Sequence, residues 1–197
     1  MPRQRRRAAM NTVLVAGIGN IFDGDDGFGV AVVHHLAASP PMEDVNVVDF
    51  GIRGLDLAYA LTDGYRLAVL IDTVQRGEVP GTLYLIEPEL TEPGGADPDA
   101  AADPDEAVLS PHQIDPASVL RMTRLLGGGC AHVLLVGCEP ASFGERDDGC
   151  IGLSAAVAAS IDKAAAMTRA AIGDWLREHP PTRERPAYGM RIQRGIP

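Results

Sequence analysis

Short apolar segments alternate along this chain with segments of helical character, and this alternation limits the possible fold more than any other feature. Strands that are apolar on both faces are typical of parallel sheets covered by helices on each side. The sequence therefore predicts an α/β fold: a single domain with a mostly parallel central sheet of about five strands and helices on both faces. The predicted strands cover residues 12–16, 45–49, 67–72, 81–86 and 132–137, and the predicted helices cover 26–38, 54–61, 115–126 and 154–176.

The remaining segments set the expected limits of that domain. With 197 residues, the chain has the length of one domain with one substantial core. We expect the domain to occupy residues 11–178, with extended terminal segments at 1–10 and 180–197. Residues 92–107 have almost nothing to bury and are predicted to form a flexible acidic loop.

The charge and the cysteines argue against several functional classes. A net charge of -10 argues against nucleic-acid binding, which needs a basic surface. Three cysteines without C-x-x-C spacing indicate neither a disulfide framework nor a thiolate metal site, and we expect a cytoplasmic protein. The basic start followed by a short apolar run does not fit a signal peptide, and no segment has the length and apolar character needed for membrane insertion.

A glycine turn followed by three aspartates, GIGNIFDGDDG, connects the first predicted strand to the first predicted helix. Dinucleotide-binding turns have the pattern G-x-G-x-x-G, but Phe22 stands here in place of the third glycine. Aspartates at a helix start would also repel a phosphate. We expect Asp25 to cap the helix, which leaves Asp26 free to point elsewhere.

Three residues of types that commonly bind metals are expected at the carboxyl edge of the sheet, where open α/β sheets bind ligands. Asp26 follows the first strand, Asp72 ends the third, and His112 lies in the segment SPHQID before the next helix. Two carboxylates and an imidazole suit a divalent cation such as zinc, nickel or manganese. Taken singly, Asp72 also fits an exposed strand-end aspartate, and His112 fits an ordinary loop histidine.

Other residues that often carry catalysis indicate no second site. We expect His34 and His35 on the surface, His132 in a structural role, and His179 in a tail without an assigned role. Cys130 is expected to be a packed or surface thiol, and no G-x-S-x-G motif is present. A hydrolase with this sequence would therefore use water as the nucleophile, activated by a carboxylate or a metal.

A longer series of motifs runs from about residue 13 to residue 165. In order these are GIGNIFDGDDGFGVAVVHHL, FGIRGLDLAYAL, AVLIDTV, SPHQIDPASVL, LLVGCEP and GLSAAVAASIDKA. In this series the chain resembles the hydrogenase maturation endopeptidases. These enzymes remove the C-terminal extension from the precursor of a nickel–iron hydrogenase large subunit. The resemblance implies the same activity and the same partner here, and the charge and hydropathy arguments above predict no binding to nucleic acid and no insertion into a membrane.

The resemblance also implies roles for individual residues. Asp26, Asp72 and His112 would contact a metal, and Asp26 and Asp72 would be catalytic, with the general base left open between them. The metal would be nickel already mounted in the substrate and not a resident cofactor, so a precursor without nickel would not be cut. The family has Glu or Asp at the first of these positions, and the acidic insert before His112 is a departure from its pattern. Two alternatives remain: a non-catalytic hydrogenase assembly factor that binds through the same metal site, and a nucleotide-binding α/β protein.

Overall fold

The computed structural model describes residues 12–88, 116–142 and 151–180, and these contain five strands arranged in one sheet. The strands are β1 (Val13–Ile18), β2 (Val45–Gly51), β3 (Leu67–Thr73), β4 (Leu83–Ile86) and β5 (His132–Cys138). The helices are α1 (Phe28–Ala38), α2 (Gly54–Ala60), α3 (Pro116–Leu125), α4 (Ala155–Ala158) and α5 (Ile161–Glu178). A 3₁₀ turn, Gly24–Gly27, precedes α1.

The strand order across the sheet is β2-β1-β3-β5-β4. The pairs β1–β2, β1–β3 and β3–β5 are parallel, and β4 pairs with β5 in the antiparallel sense at the edge. This arrangement confirms the predicted α/β fold with a mostly parallel five-stranded sheet. It also places the carboxyl-terminal ends of β1, β2, β3 and β5 on the same side of the sheet, and we call this side the carboxyl edge.

Alternate residues of the central strands supply two hydrophobic cores, one on each face of the sheet, as the period of two in a strand requires. The first core joins Val15, Val69 and Val136 to α1 and α5. The second joins residues such as Leu14 and Leu70 to α2 and α3. Because both faces are covered, the strands are apolar throughout, which is the pattern seen in the sequence.

Glycine allows α1 to approach the sheet closely. A Cβ atom at Gly29 would overlap the carbonyl oxygens of Ile18 and Ile71, which belong to β1 and β3. A Cβ at Gly17 would overlap the carbonyl oxygen of Gly29 and the side chain of Val33. Backbone therefore lies against backbone at this crossing, and the 3₁₀ turn before α1 is held close to the carboxyl ends of β1 and β3.

Among the helices, the first and the last predicted ones differ most from the structure. The first helix begins at Phe28 and not at residue 26, because Gly24–Gly27 forms the 3₁₀ turn. The helix predicted over 154–176 is divided into α4 and α5, and the break falls at Ser160. The Ser160 hydroxyl is buried, donates to the Val157 carbonyl oxygen at 2.7 Å, and lies 3.4 Å from the Cys138 sulfur. Ser154 caps α4 by accepting a hydrogen bond from Val157 N.

Several predictions fall outside the described residues. The terminal segments predicted at 1–10 and 180–197 (apart from residue 180), the acidic loop at 92–107 and Cys150 are among them. Within the described chain, Cys130 and Cys138 are buried and not joined in a disulfide. Among the described helices, none combines the length and the apolar character that crossing a bilayer requires.

An aromatic cluster occupies the opposite edge of the sheet, where the strands begin. Trp175 stacks on His179 with ring centroids 4.6 Å apart, and His132 meets the Trp175 ring edge-on at 5.4 Å. Arg66 lies over the Trp175 ring and donates to the His179 carbonyl oxygen at 2.8 Å. The structural role predicted for His132 is confirmed, whereas His179 has a packing role that the sequence did not indicate.

Candidate active site

The glycine turn after β1 folds back on the aspartate that follows it. Gly19 has φ +122°, and a Cβ atom there would overlap the carbonyl oxygen of Asp26. The Gly19 amide donates to the Gly51 carbonyl oxygen at 3.1 Å, which joins this turn to the loop after β2. Only glycine fits both the conformation and the close approach. The turn thereby brings Asp26 back against the end of β1.

Asp26 is held by two hydrogen bonds at the carboxyl edge of the sheet. The Asn20 amide donates to Asp26 Oδ2 at 2.6 Å, and the Thr73 side chain also hydrogen-bonds to the Asp26 carboxylate. Burial raises the pKa of Asp26, and the negative charge of Asp23 adds to the rise, while the two hydrogen bonds oppose it. The Asn20 amide therefore already donates to a carboxylate of the protein and is not available to bind a phosphate. This disfavours the nucleotide-binding alternative.

Asp72 lies at the same edge, in the neighbouring strand. Its side chain is only 5% exposed, so the alternative of an exposed strand-end aspartate is wrong. Asp72 Oδ1 accepts a hydrogen bond from the Thr73 amide at 2.7 Å. Thr73 therefore contacts both carboxylates, Asp72 through its amide and Asp26 through its side chain. The two aspartates predicted from the sequence share this neighbour at the ends of β3 and β1.

Asp25 has a role that differs from its predicted one. The 3₁₀ turn has no side-chain cap, and α1 follows Gly27 without one, so the expectation that Asp25 caps the helix is wrong. Its carboxylate is 1% exposed and accepts three backbone hydrogen bonds, from Ala141 at 2.8 Å, Ser142 at 3.3 Å and Ser154 at 2.6 Å. Asp25 thus ties the turn that carries Asp26 to the end of β5 and the start of α4.

Glu139 is a third buried carboxylate, and sequence reasoning did not identify it. It follows β5 and accepts hydrogen bonds from the amides of Arg76 and Gly77, and from the Tyr84 hydroxyl at 2.6 Å. The bond from Tyr84 is the chief cause that lowers the pKa of Glu139, and the amides contribute to the same shift. Burial, together with the hydrogen bond to Glu139 and its negative charge, raises the pKa of Tyr84 to about 12. Glu139 therefore fixes the path of the segment that leaves β3 after Asp72.

The third predicted ligand, His112, lies outside the described residues. Within residues 12–88, 116–142 and 151–180, no three His, Cys, Asp or Glu side chains are close enough together to hold a metal ion. His34 and His35 are exposed, as expected, and lie 2.9 Å from Asp49 and 3.5 Å from Asp162 respectively. The described part of the site is therefore the pair Asp26 and Asp72.

Such a pair has two chemical uses. Ionised carboxylates attract a cation that brings further ligands with it, and a carboxylate of raised pKa is a better proton acceptor for a water molecule than an ordinary one. Together these features define an α/β protein whose candidate site is built from carboxylates at the carboxyl edge of a parallel sheet.

Comparison with known proteins narrows this class. A family model described as hydrogenase maturation protease matches residues 30–171. The hydrogenase expression/formation protein HupD of Rhodobacter capsulatus is 31% identical over 184 residues, which cover 93% of this chain and 75% of that protein. HupD of Bradyrhizobium diazoefficiens is 35% identical over 134 residues, which cover 66% of this chain and 63% of that protein. The chain therefore belongs to the hydrogenase maturation protease family.

A solved structure agrees with the sequence comparison. The crystal structure of a hydrogenase 2 maturation peptidase from Thaumarchaeota archaeon SCGC_AB-539-E09 superposes with a TM-score of 0.59 at 31% identity. The match covers 82% of this chain and 97% of that one. The single-domain α/β architecture is thus that of a maturation peptidase.

Proposed function

We propose that this chain is a cytoplasmic endopeptidase that removes the C-terminal extension from the large-subunit precursor of a nickel–iron hydrogenase. Membership of the family supports the reaction and the class of substrate. The observation that carries the proposal is the carboxylate pair of Asp26 and Asp72, which share contacts with Thr73 at the carboxyl edge of the sheet.

In this proposal the nickel ion arrives with the substrate. Asp26, Asp72 and His112 would contact it, and two carboxylates with one imidazole are suitable ligands for such a divalent ion. A precursor without nickel would leave the carboxylates without their cation and would dock less tightly, so that the enzyme distinguishes the two forms by affinity. Docking through the ion also fixes the peptide bond near the site, which lowers the entropic barrier to its hydrolysis.

The attacking group in this reaction is a water molecule. One of the two carboxylates would accept its proton while the oxygen adds to the peptide carbonyl carbon, and the amine of the extension would leave with a proton. The raised pKa of Asp26 suits it to accept a proton, but only at a pH where it is ionised. As pH falls, protonation of the carboxylates removes both the proton acceptor and the negative charge that attracts the cation, so cleavage should decrease on the acidic side.

The test uses one precursor, prepared with and without nickel, and the mass of the large subunit as the readout. Wild-type protein should shorten the nickel-containing precursor and leave the nickel-free one intact. Asp26→Asn, Asp72→Asn and His112→Ala should each abolish cleavage or severely reduce it. The matched control is Asp162→Asn, which changes an exposed aspartate on α5 and should cleave like wild type.

Two outcomes would contradict parts of this proposal. Equal cleavage of both precursor forms would overturn the role of nickel while leaving the peptidase activity in place. Tight binding of the nickel-containing precursor without any change in its mass would instead indicate the alternative, a non-catalytic assembly factor.

A further inference from the structure

Large apolar side chains are exposed in the turn that carries Asp26 and in the region that follows β2. Phe22 is 65% exposed and Ile52 is 62% exposed, and Ile21 and Leu55 are also open to solvent. We call these four residues the apolar rim. Exposed apolar groups that lie together commonly mark a surface that another molecule covers.

Backbone contacts connect the apolar rim to the site. Ile21 and Phe22 belong to the same turn as Asn20, whose amide holds Asp26. The Cα atom of Ile21 would lie 3.1 Å from a Cβ atom placed on Gly27, the residue after Asp26. The rim is therefore continuous with the turn that carries the candidate catalytic carboxylate.

The other two rim residues, Ile52 and Leu55, follow β2 in the chain. The hydrogen bond from the Gly19 amide to the Gly51 carbonyl oxygen joins the two loops, and Ile52 follows directly after Gly51. Leu55 lies three residues further on, in the first turn of α2, and shares a helix face with the exposed Tyr59. The exposed side chains thus extend from the site towards α2.

Both loops are held by hydrogen bonds of their own. The Phe22 amide donates to Asn20 Oδ1 at 3.1 Å, and the Asp23 amide donates to the Asn20 carbonyl oxygen at 3.0 Å. The Arg53 amide and Nε both donate to the Phe50 carbonyl oxygen, at 2.9 and 3.1 Å. The rim is therefore presented on a preorganised backbone, which reduces the entropy lost when a partner binds.

We propose that the apolar rim docks an apolar segment of the large-subunit precursor close to the bond that is cut. This inference rests on the proposed function. The occupant follows from charge and position: the rim continues from the turn that carries the Asp26 carboxylate, so its partner presents apolar side chains beside a cationic group. An endopeptidase must also hold the chain next to the scissile bond, and among the described residues the rim is an exposed apolar surface continuous with the turn that carries Asp26.

The experiment measures precursor cleavage by Phe22→Ser and Ile52→Ser over a range of precursor concentrations. Each variant should raise KM by roughly tenfold, the effect expected for truncating a central interface residue, with little change in kcat. Phe22→Leu should restore a KM near that of wild type. The matched control is Leu125→Ser, which removes a 79% exposed apolar side chain from the far end of α3. Because both target side chains are exposed, melting temperatures should stay close to wild type.

The outcomes separate this inference from the proposed function. If wild type fails to cleave the precursor, the proposed function is wrong. If wild type cleaves and both serine variants keep the wild-type KM, the docking inference is overturned and the proposed function stands. If wild type is a dimer in sedimentation and Phe22→Ser makes it monomeric without changing KM, a second copy covers the rim and the inference is again overturned.

Discussion

Two adjacent aspartates in one turn have opposite environments and different roles. Asp25 is buried and accepts three backbone hydrogen bonds from distant parts of the chain. Asp26 contacts Asn20 and Thr73 at the candidate site, and burial raises its pKa. The 3₁₀ turn allows this division because successive side chains leave it in different directions. One carboxylate therefore stabilises the turn that positions the other.

Substituting each aspartate separately tests this division. Asp25→Asn replaces one accepting oxygen with an NH₂ group that faces backbone N–H donors. The substitution should lower the free energy of unfolding by about 3 kcal/mol. This corresponds to a fall in melting temperature of roughly 6–12 °C. Asp26→Asn should leave the melting temperature unchanged or raise it, because the fold disfavours the ionised form of Asp26. Thermal unfolding followed by circular dichroism measures both. Equal stability of the two variants would show that Asp25 does not hold the turn.

A pH-dependent prediction follows from Glu139. Its pKa is lowered from the ordinary value of 4.5, so its contribution to stability is complete above that value and is lost as pH falls through the lowered pKa. Glu139→Gln should therefore melt below wild type at pH 7, and the difference should shrink as the pH falls below 4.5. Tyr84→Phe, which removes the hydroxyl that donates to Glu139, should show the same trend. A difference that is constant from pH 7 to pH 3 would contradict the assignment.

At the scale of elements, the contact between α1 and the sheet decides where the site lies. Gly29 brings the start of α1 against the carbonyl oxygens at the ends of β1 and β3. Those strands end beside Asp26 and Asp72, so the same close contact that packs the helix also sets the position of the 3₁₀ turn relative to Thr73. A change in this packing should affect stability and catalysis together.

Two glycine-to-alanine variants compare this contact with an open position. Gly29→Ala should destabilise the protein by at least about 3 kcal/mol, because the new methyl group overlaps backbone atoms that cannot move independently. Gly173→Ala in α5 meets no atom within 4 Å and should stabilise the helix by about 0.5–1 kcal/mol. Denaturant titrations of both variants give these values. A wild-type stability for Gly29→Ala would mean that the close approach is not maintained in solution.

A structural feature can be predicted from this sequence when the interactions that produce it lie between residues close in the chain. The strands follow from apolar periodicity, which is a local signal, and the position of Asp26 and Asp72 follows from their place at or after the ends of predicted parallel strands. The role of Asp25 could not be predicted, because its three donors lie 116, 117 and 129 residues further along the chain. The break at Ser160 likewise depends on packing against Cys138 of β5, 22 residues away. His112 remains a prediction.

At the scale of the whole molecule, the two cores share one sheet and should unfold together. In the first core, α1 and α5 pack against one face of β1 and β3. In the second core, α2 and α3 pack against the opposite face of the same strands. A loss of either core exposes apolar strand residues to water. Small domains built in this way generally unfold in one cooperative transition.

The position of the single tryptophan provides the measurement. Trp175 is 8% exposed in α5 and contacts His132 of β5, His179 and Arg66. Its fluorescence should therefore report the loss of the first core, while far-UV circular dichroism reports helices and strands throughout. The two midpoints in a urea titration should coincide. A fluorescence midpoint clearly below the other would indicate that α5 separates from the sheet first.

The three hydrogen bonds of Asp25 also have a consequence for the order in which the molecule is made. Asp25 and Asp26 leave the ribosome early, but the amides that fix Asp25 belong to residues 141, 142 and 154, which are synthesised last among the parts of the site described above. A nascent chain that ends before Ala141 therefore carries both aspartates without any of these three contacts, and one that ends before Ser154 still lacks the third. The site is assembled only after most of the protein has been translated, so an incomplete chain should have no ordered carboxylate pair with which to act on other proteins.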